Sequence, residues 1–237
     1  MKIAVLSDIH GNLPALEAVL DDARTVADEI VCLGDIVGYG ASPVECIELI
    51  RATASLVVAG NHDYGAVGRH PLSKFSSFAR AVIEWTSAQI GADNKEWLSS
   101  LKLVSSRAGA KFVHSSPLSP ESWHYIRMNL DVDALFEAFA ERVCFVGHTH
   151  EPAVWDMSGN AMPASDFAMS RERRYIVDVG SVGQPRDEDP RACYVVFDIE
   201  EQNIEFRRVE YDIESAVKAI ENAGLPDNLA VRLRFGA

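Results

Sequence analysis

The chain has 237 residues, 48% of them hydrophobic and 24% charged, which is enough for one domain with a real core and unlike a disordered polymer. Twenty-two Lys and Arg against 35 Asp and Glu give a formal charge of -13, a field that disfavours nucleic-acid scaffolding, long-polynucleotide nuclease activity and membrane-surface binding. No uncharged apolar run is long enough to cross a bilayer, and the opening MKIAVLSDIH lacks a leader-like cleavage site, so the expectation is a cytoplasmic protein.

The first sixty residues alternate apolar and amphipathic runs: KIAVLS, PALEAVLDDA, EIVCLG, SPVECIELIRA and SLVVAG, a βαβαβ rhythm. IAVL and IVCL lack polar alternation, as strands covered on both faces do. Ser42, Pro43 and Glu45 read as N-cap, first-position proline and capping-box acid of the second helix. From Leu72 to Leu101 the pattern is helical, AKFVH is a strand, and SSPLSPESWHYI is a Pro- and Ser-rich loop expected to form a rim or lid. Asp131 caps the helix VDALFEAFAE, which leads into the strand RVCFVG.

After His150 the helical signal stops, and PAVWDM, RYIVDVG, ACYVVFDI and NIEFRRVEY read as an antiparallel meander. A helix, DIESAVKAIENAG, follows, and the meander is expected to pack on the first half within one domain spanning residues 1–237. Cys32, Cys46, Cys144 and Cys193 form no C-x-x-C pair, and three of them sit in apolar runs. They read as core residues of a protein in a reducing compartment.

Each apolar run of the first half is followed at once by a residue able to bind metal. Asp8 and His10 follow IAVLS, Asp35 follows IVCLG, Asn61 and His62 follow LVVAG, His114 ends AKFV, and His148 and His150 follow CFVG. The carboxyl ends of strands in open α/β sheets are where ligands bind, so these side chains are expected at one edge. Carboxylates, imidazoles and one amide oxygen suit manganese, iron or zinc better than calcium, which prefers oxygen alone. Gly34, Gly60 and Gly147 each precede a candidate ligand, where a sharp turn or a close approach is expected. Any one of these motifs is an ordinary turn; independent turns have no reason to choose metal ligands every time.

In this order the motifs SDIHGN, LGDIVGYG, AGNHDYG, KFVHSSP and VGHTHEP resemble those of the calcineurin-like metallophosphoesterases, from Ser7 to Pro152. The stretch GSVGQPR, ending at Arg186, is similar to one in small bacterial and archaeal members, a phosphodiesterase-like branch. The resemblance implies an α/β fold in which two mixed β-sheets form a sandwich flanked by helices, with a dinuclear metal site at the strand ends. It also implies two divalent transition-metal ions, manganese first and then iron, zinc or nickel. Asp8, His10 and His150 would hold one ion, Asn61, His114 and His148 the other, and Asp35 would bridge them. A bridging hydroxide would then attack a phosphate ester. His62 would protonate the leaving oxygen or steady the transition-state charge, and Asp63 would orient its imidazole. Asn61, a neutral ligand, limits the negative charge near an anionic substrate, and with His62 and Arg186 it makes up the substrate contacts.

Departures from the family pattern narrow the reading. Gly38-Tyr39-Gly40 stands where protein serine/threonine phosphatases carry Arg-Gly, and Tyr39 is read as a packing or pocket residue. HSSP replaces the commoner H-G-x-P. Arg186 is open to two readings, a phosphate contact or a salt bridge with Asp187 or Glu188. Trp123, His124 and Tyr125 either line a nucleobase pocket or pack on the sheet.

The implied activity is hydrolysis of a small phosphate ester, leaning towards a diester because the motifs hold no arginine cluster for a dianionic monoester. The alternatives are a diadenosine polyphosphate hydrolase, a protein or phosphomonoester phosphatase, and a non-catalytic metal-stabilised scaffold. The partner is a small phosphate ester or nucleotide, not a membrane or a long nucleic acid; a homo-oligomer is compatible with all of these.

Overall fold

The computed structural model describes residues 1–126 and 131–237. Strands β1 (Lys2–Leu6), β2 (Glu29–Cys32) and β3 (Leu56–Val57) are parallel and linked by helices α1 (Leu13–Val26) and α2 (Pro43–Thr53), the βαβαβ unit expected from the sequence. Alternate residues of β1 and β2 enter different cores. Ala4, Leu6 and Cys32 pack with Leu16, Val19 and Ile47 of the helices, whereas Ile3, Val5 and Val31 face a second sheet. Burial on both faces is why these runs carry no polar alternation.

There are two six-stranded sheets among the described residues. The first runs β3-β2-β1-β11-β12-β9, with β9 at Phe167–Ala168, β11 at Ala192–Asp198 and β12 at Asn203–Val209. The second runs β4-β5-β6-β10-β7-β8: β4 Val104–Arg107, β5 Ala110–Val113, β6 Val143–Val146, β7 Ala153–Asp156, β8 Ala161–Met162 and β10 Tyr175–Asp178. Phe112, Phe145 and Phe197 fill the space between the sheets, the first two stacked at 5.6 Å between centroids. Truncating one of these rings to Ala is expected to cost about 3–5 kcal/mol. The outer face of the second sheet, with Cys144, Val146 and Ile176, packs on Leu135 and Phe136 of α6 (Val132–Glu137), which Asp131 caps at 3.2 Å as expected. Helices therefore flank a two-sheet sandwich.

Several expectations need correction. The strands after His150 are not one meander: β10 pairs in parallel with β6, β7 pairs antiparallel with β10, and β11 pairs antiparallel with β1. Both β10 and β11 are central strands buried on two faces, so the chain after His150 completes both sheets. The Ser42 side chain makes no cap hydrogen bond; Pro43 starts α2 alone, and the Ser42 carbonyl accepts from Cys46 N–H. The helical stretch before residue 101 divides at Gly91 into α4 (Ser77–Gln89) and α5 (Ala92–Ser100). The half-exposed β4 and the short α8 (Asp227–Leu233), which packs on α7 (Ile213–Asn222), carry too few periodic residues to be read in advance. All four cysteines are buried free thiols. No described helix is long and apolar enough to cross a membrane.

Candidate metal centre

The carboxyl ends of β1, β2, β3, β5 and β6 meet at one edge, and every candidate ligand is there. Asp8 and His10 follow β1, Asp35 follows β2, His114 follows β5, and His148 and His150 follow β6. Asn61 and His62 open the short helix α3 (Asn61–Ala66) after β3. Asp8, His10, Asp35, His148 and His150 all have positive φ, between 49° and 70°, a conformation costing on the order of 1 kcal/mol each that their loops impose. Among the three ligand-preceding glycines only Gly34 turns through positive φ. Gly60 and Gly147 serve close approach instead: a Cβ on Gly60 would lie 2.0 Å from Asp35 Oδ1, and one on Gly147 would lie 2.5 Å from Asp8 Oδ2.

The side chains converge in two overlapping sets. His10 Nε2 and His150 Nε2 are 3.1 Å apart, and Asp8 Oδ1 lies 3.1 Å from the latter and 3.6 Å from the former. In the other set His114 Nε2 is 3.2 Å from His148 Nδ1. Asp35 Oδ2 belongs to both, 3.7 Å from His10 Nε2 and 3.3 Å from His114 Nε2. Asp8 Oδ1 and Asn61 Oδ1 are buried with no hydrogen-bond partner, which is costly unless a cation completes them. Lone-pair atoms facing one another at these distances fit divalent metal ions.

The opposite atoms of the four histidines and the two aspartates are secured. The distal nitrogens of His10, His114, His150 and His148 bond the carbonyls of Val37 (3.1 Å), Leu33 (3.0 Å), Gln184 (2.6 Å) and Trp123 (3.0 Å). Donation to a carbonyl fixes each tautomer so that the other nitrogen presents its lone pair to the centre. Asp8 Oδ2 accepts from His148 N–H and Asp35 Oδ1 from His62 N–H, leaving the second oxygen of each free.

Electrostatics agree with this arrangement for Asp8, Asp35, His148 and His150, whereas the neighbouring carboxylates hold His114 protonated. Burial opposes the Asp8 charge, but His150 and His114 outweigh it and hold its pKa well below the usual range; Asp35 is lowered in the same way. Burial brings His148 down to about 3 and His150 down to about 4, so both are neutral donors. For His114 burial is overcome by the Asp35 and Asp8 carboxylates, which raise it to about 9.

Asp63 does not orient His62, contrary to the expectation. Its carboxylate accepts from the backbone N–H groups of Asp35, Ile36, Val37 and Gly60 at 2.8–3.3 Å, locking the two ligand loops together. His62 Nδ1 has no hydrogen-bond partner because it lies against Gly38, where a Cβ would come within 2.3 Å of it. The ring is held by packing, with Tyr39, His10 and Phe75 centroids at 4.6, 4.9 and 5.2 Å.

Beside Asn61, His62 and His148 opens a cleft of about 580 Å³ walled by Tyr39, Phe75, Trp123 and Tyr125. Trp123, His124 and Tyr125 thus line the site, and so does His70, so all seven histidines of the chain surround it. Tyr125 stacks on His148 at 4.1 Å, 13° from parallel. Arg186 donates to Gln184 Oε1 at 3.1 Å and lies 5.8 Å from the Tyr39 ring centroid; Asp187 pairs with Arg208 instead. Its cation bears on His62 and His150.

Sequence reading missed Phe75 and Lys74 in the cleft wall, which sit in a helical-looking stretch without a motif, and His70 just before that stretch. It also missed Asp178, buried behind the centre, where it accepts from the Thr149 hydroxyl (2.7 Å) and Gly180 N–H (3.0 Å) and so steadies the turn between His148 and His150. The signal was available, since Asp178 ends the apolar run YIVD just as Asp8 and Asp35 follow theirs.

Comparison with known proteins places this site in a family. An uncharacterized protein of Methanocaldococcus jannaschii is 43% identical over 240 residues, which cover 99% of this chain and 98% of that one. The crystal structure of a metallophosphoesterase from Sphaerobacter thermophilus is 40% identical with a TM-score of 0.90, covering 100% of this chain and 99% of the other. A hypothetical protein from Pyrococcus horikoshii, 23% identical over 100% of this chain and 98% of its own, shares the fold at a TM-score of 0.81. The family model of the calcineurin-like phosphoesterase superfamily domain matches residues 1–202, and with it the resemblance of the motifs becomes a membership: the chain belongs to the calcineurin-like phosphoesterase superfamily.

Proposed function

We propose that the protein is a metal-dependent phosphoesterase that hydrolyses a small phosphodiester or nucleotide-type ester. The observation that carries this reading is Asp35, whose Oδ2 faces both ligand sets at once, within 3.7 Å of His10 Nε2 and 3.3 Å of His114 Nε2. Asp8, His10 and His150 would hold one cation, Asn61, His114 and His148 the other, and Asp35 would serve both. Two such ions, divalent transition metals by the mixed oxygen and nitrogen donor set, with manganese as the first candidate, would supply Lewis-acid polarisation of a phosphoryl group and lower the pKa of water.

The chain's own residues do the remaining work. Asn61 binds without adding charge, which eases the approach of an anion. His62 faces the cleft through Nε2, since its Nδ1 is buried against Gly38. With no acceptor behind Nδ1 to stabilise an imidazolium, His62 acts as a neutral hydrogen-bond donor to developing charge on the phosphoryl or leaving oxygen. Asp63 acts as a positioning residue that keeps the Asp35 and Asn61 loops in register. The aromatic cleft receives the ester's organic group by ring stacking, which favours an aryl or nucleoside diester over a bare alkyl ester.

The test is the turnover of bis(p-nitrophenyl) phosphate against p-nitrophenyl phosphate by metal-stripped protein with added manganese. Manganese-dependent hydrolysis with kcat/KM higher for the diester is expected. A higher value for the monoester overturns the diester preference, and no hydrolysis of either overturns the reading.

A further inference from the structure

Tyr39 stands between Gly38 and Gly40 at a φ of 54°, a left-handed conformation that a residue with a side chain adopts only under constraint. Neither neighbour has room for a side chain: a Cβ on Gly38 would come within 2.3 Å of His62 Nδ1, and one on Gly40 within 2.4 Å of the His10 carbonyl oxygen. Gly40 N–H also donates to that carbonyl, at 2.8 Å. The backbone therefore passes tightly behind both histidines, and the Tyr39 side chain lines the cleft with Asn61, His62 and His148.

The ring lies against both imidazoles. Its centroid is 4.6 Å from that of His10 and 4.6 Å from that of His62, and those two are 4.9 Å apart. It also packs on the apolar cluster that Val82 of α4 forms with Val217 and Ile220 of α7 and Leu233 of α8, so helices far along the chain brace it at the centre. A ring nitrogen of His62 lies within 4.8 Å of the donor atoms of His10 and Asp35, which places Tyr39 beside the space that the first ligand set and His62 share. Packing of this kind needs only a phenyl ring, and the hydroxyl is surplus to it. The guanidinium of Arg186, with Cζ 5.8 Å from the ring centroid, bears on that hydroxyl, but a guanidinium donates and cannot accept. No acceptor among the described residues takes the Tyr39 proton within hydrogen-bond geometry.

We propose that Tyr39 is a catalytic residue whose hydroxyl donates a hydrogen bond to a non-bridging oxygen of the phosphoryl group as charge develops there, while its ring holds His10 and His62 in place. This deepens the phosphoesterase reading and rests on it. The proton stays on Tyr39 throughout, and no covalent bond to the residue forms or breaks. Tyr39 and His62 then present two neutral donors side by side, and such donors favour the transition state to the extent that they meet more charge there than in the bound ester. The strained backbone and the two glycines are the means by which the loop after β2 brings a phenol to this point.

Tyr39→Phe keeps the ring and removes only the hydroxyl. In the manganese-loaded full chain turning over bis(p-nitrophenyl) phosphate, it is expected to lower kcat about ten- to fiftyfold, with KM within about threefold and manganese content unchanged. Tyr211→Phe is the control: it removes a hydroxyl that accepts from Asn12 beside the same helix cluster, and kcat is expected to stay within about twofold of wild type. A kcat within about twofold of wild type in Tyr39→Phe, an equal loss in Tyr211→Phe, or a loss that follows lost manganese overturns the assignment. Orthovanadate, a five-coordinate mimic of a phosphoryl group under attack, reads the contact without turnover. Titrated calorimetrically into the same manganese-loaded proteins, it is expected to bind about tenfold more weakly to Tyr39→Phe than to wild type, and equal affinity overturns the proposal. Wild-type protein that binds vanadate but is inert towards the diester would remove the phosphoesterase reading, while the vanadate comparison still decides whether Tyr39 contacts the oxyanion. Wild-type protein that binds no vanadate overturns the Tyr39 contact outright.

Discussion

The two ligand sets are built differently. Around Asp8, His10 and His150 the supports belong to the scaffold. The distal nitrogens bond Val37 O and Gln184 O, and the loop after β10 is tied to the end of β1 by Val182 N–H to Ser7 O (3.0 Å), Gly183 N–H to Asp8 O (2.9 Å) and Ser181 Oγ to Asp8 O (2.8 Å). Around His114 and His148 the support is partly the substrate wall: His148 bonds Trp123 O and carries Tyr125 stacked on its ring. One set is fixed by the core. The other shares its fixing with the loop that shapes the cleft, so whatever changes the cleft there is expected to reach the second cation.

Substitutions separate these dependencies. Asp35→Ala erases the contrast, since both sets lose their shared oxygen; manganese binding fails and turnover falls on the order of 10³-fold, measured by elemental analysis and steady-state kinetics. Gly147→Ala breaks the scaffold side, because its Cβ would displace Asp8 Oδ2 and Ser7 Oγ. A stability loss of about 1–3 kcal/mol by denaturant titration and a manganese affinity roughly a hundredfold weaker are expected.

Thr149→Val removes the hydroxyl that Asp178 accepts, loosening the turn that carries one histidine of each set, and lowers manganese affinity about tenfold by calorimetry. Tyr125→Ala acts on the cleft side alone. It weakens the second manganese site and raises KM for an aryl diester, each by roughly two- to tenfold, while leaving the first site's affinity unchanged. An equal effect on both sites would dissolve the distinction drawn here.

The candidate ligands of both sets were legible in the sequence, because the strands before Asp8, His10, Asp35, Asn61, His114, His148 and His150 are short apolar runs that end directly at them. What could not be read is non-local. The pairing of β10 with β6 and of β11 with β1 depends on which faces are covered, and no local pattern records that. The Asp63 clamp is invisible for the same reason, since three of its four donors come from another loop. Gly38 is a clearer lesson: it has positive φ, and its lack of a side chain is also what admits the His62 ring, which no local pattern records. Phe75 sits on a helical-looking stretch whose periodicity explains it as an ordinary packing residue, so only its placement brings it to the site.

The central claim is a centre for two cations that share Asp35, and counting the metal tests it most directly. Wild-type protein equilibrated with manganese should bind two ions per chain and hydrolyse an aryl phosphodiester only when they are present, whereas Asn61→Ala should bind one and lose at least about a hundredfold in kcat. Wild-type protein that binds no manganese, or that hydrolyses the diester equally well after metal is stripped, would contradict it.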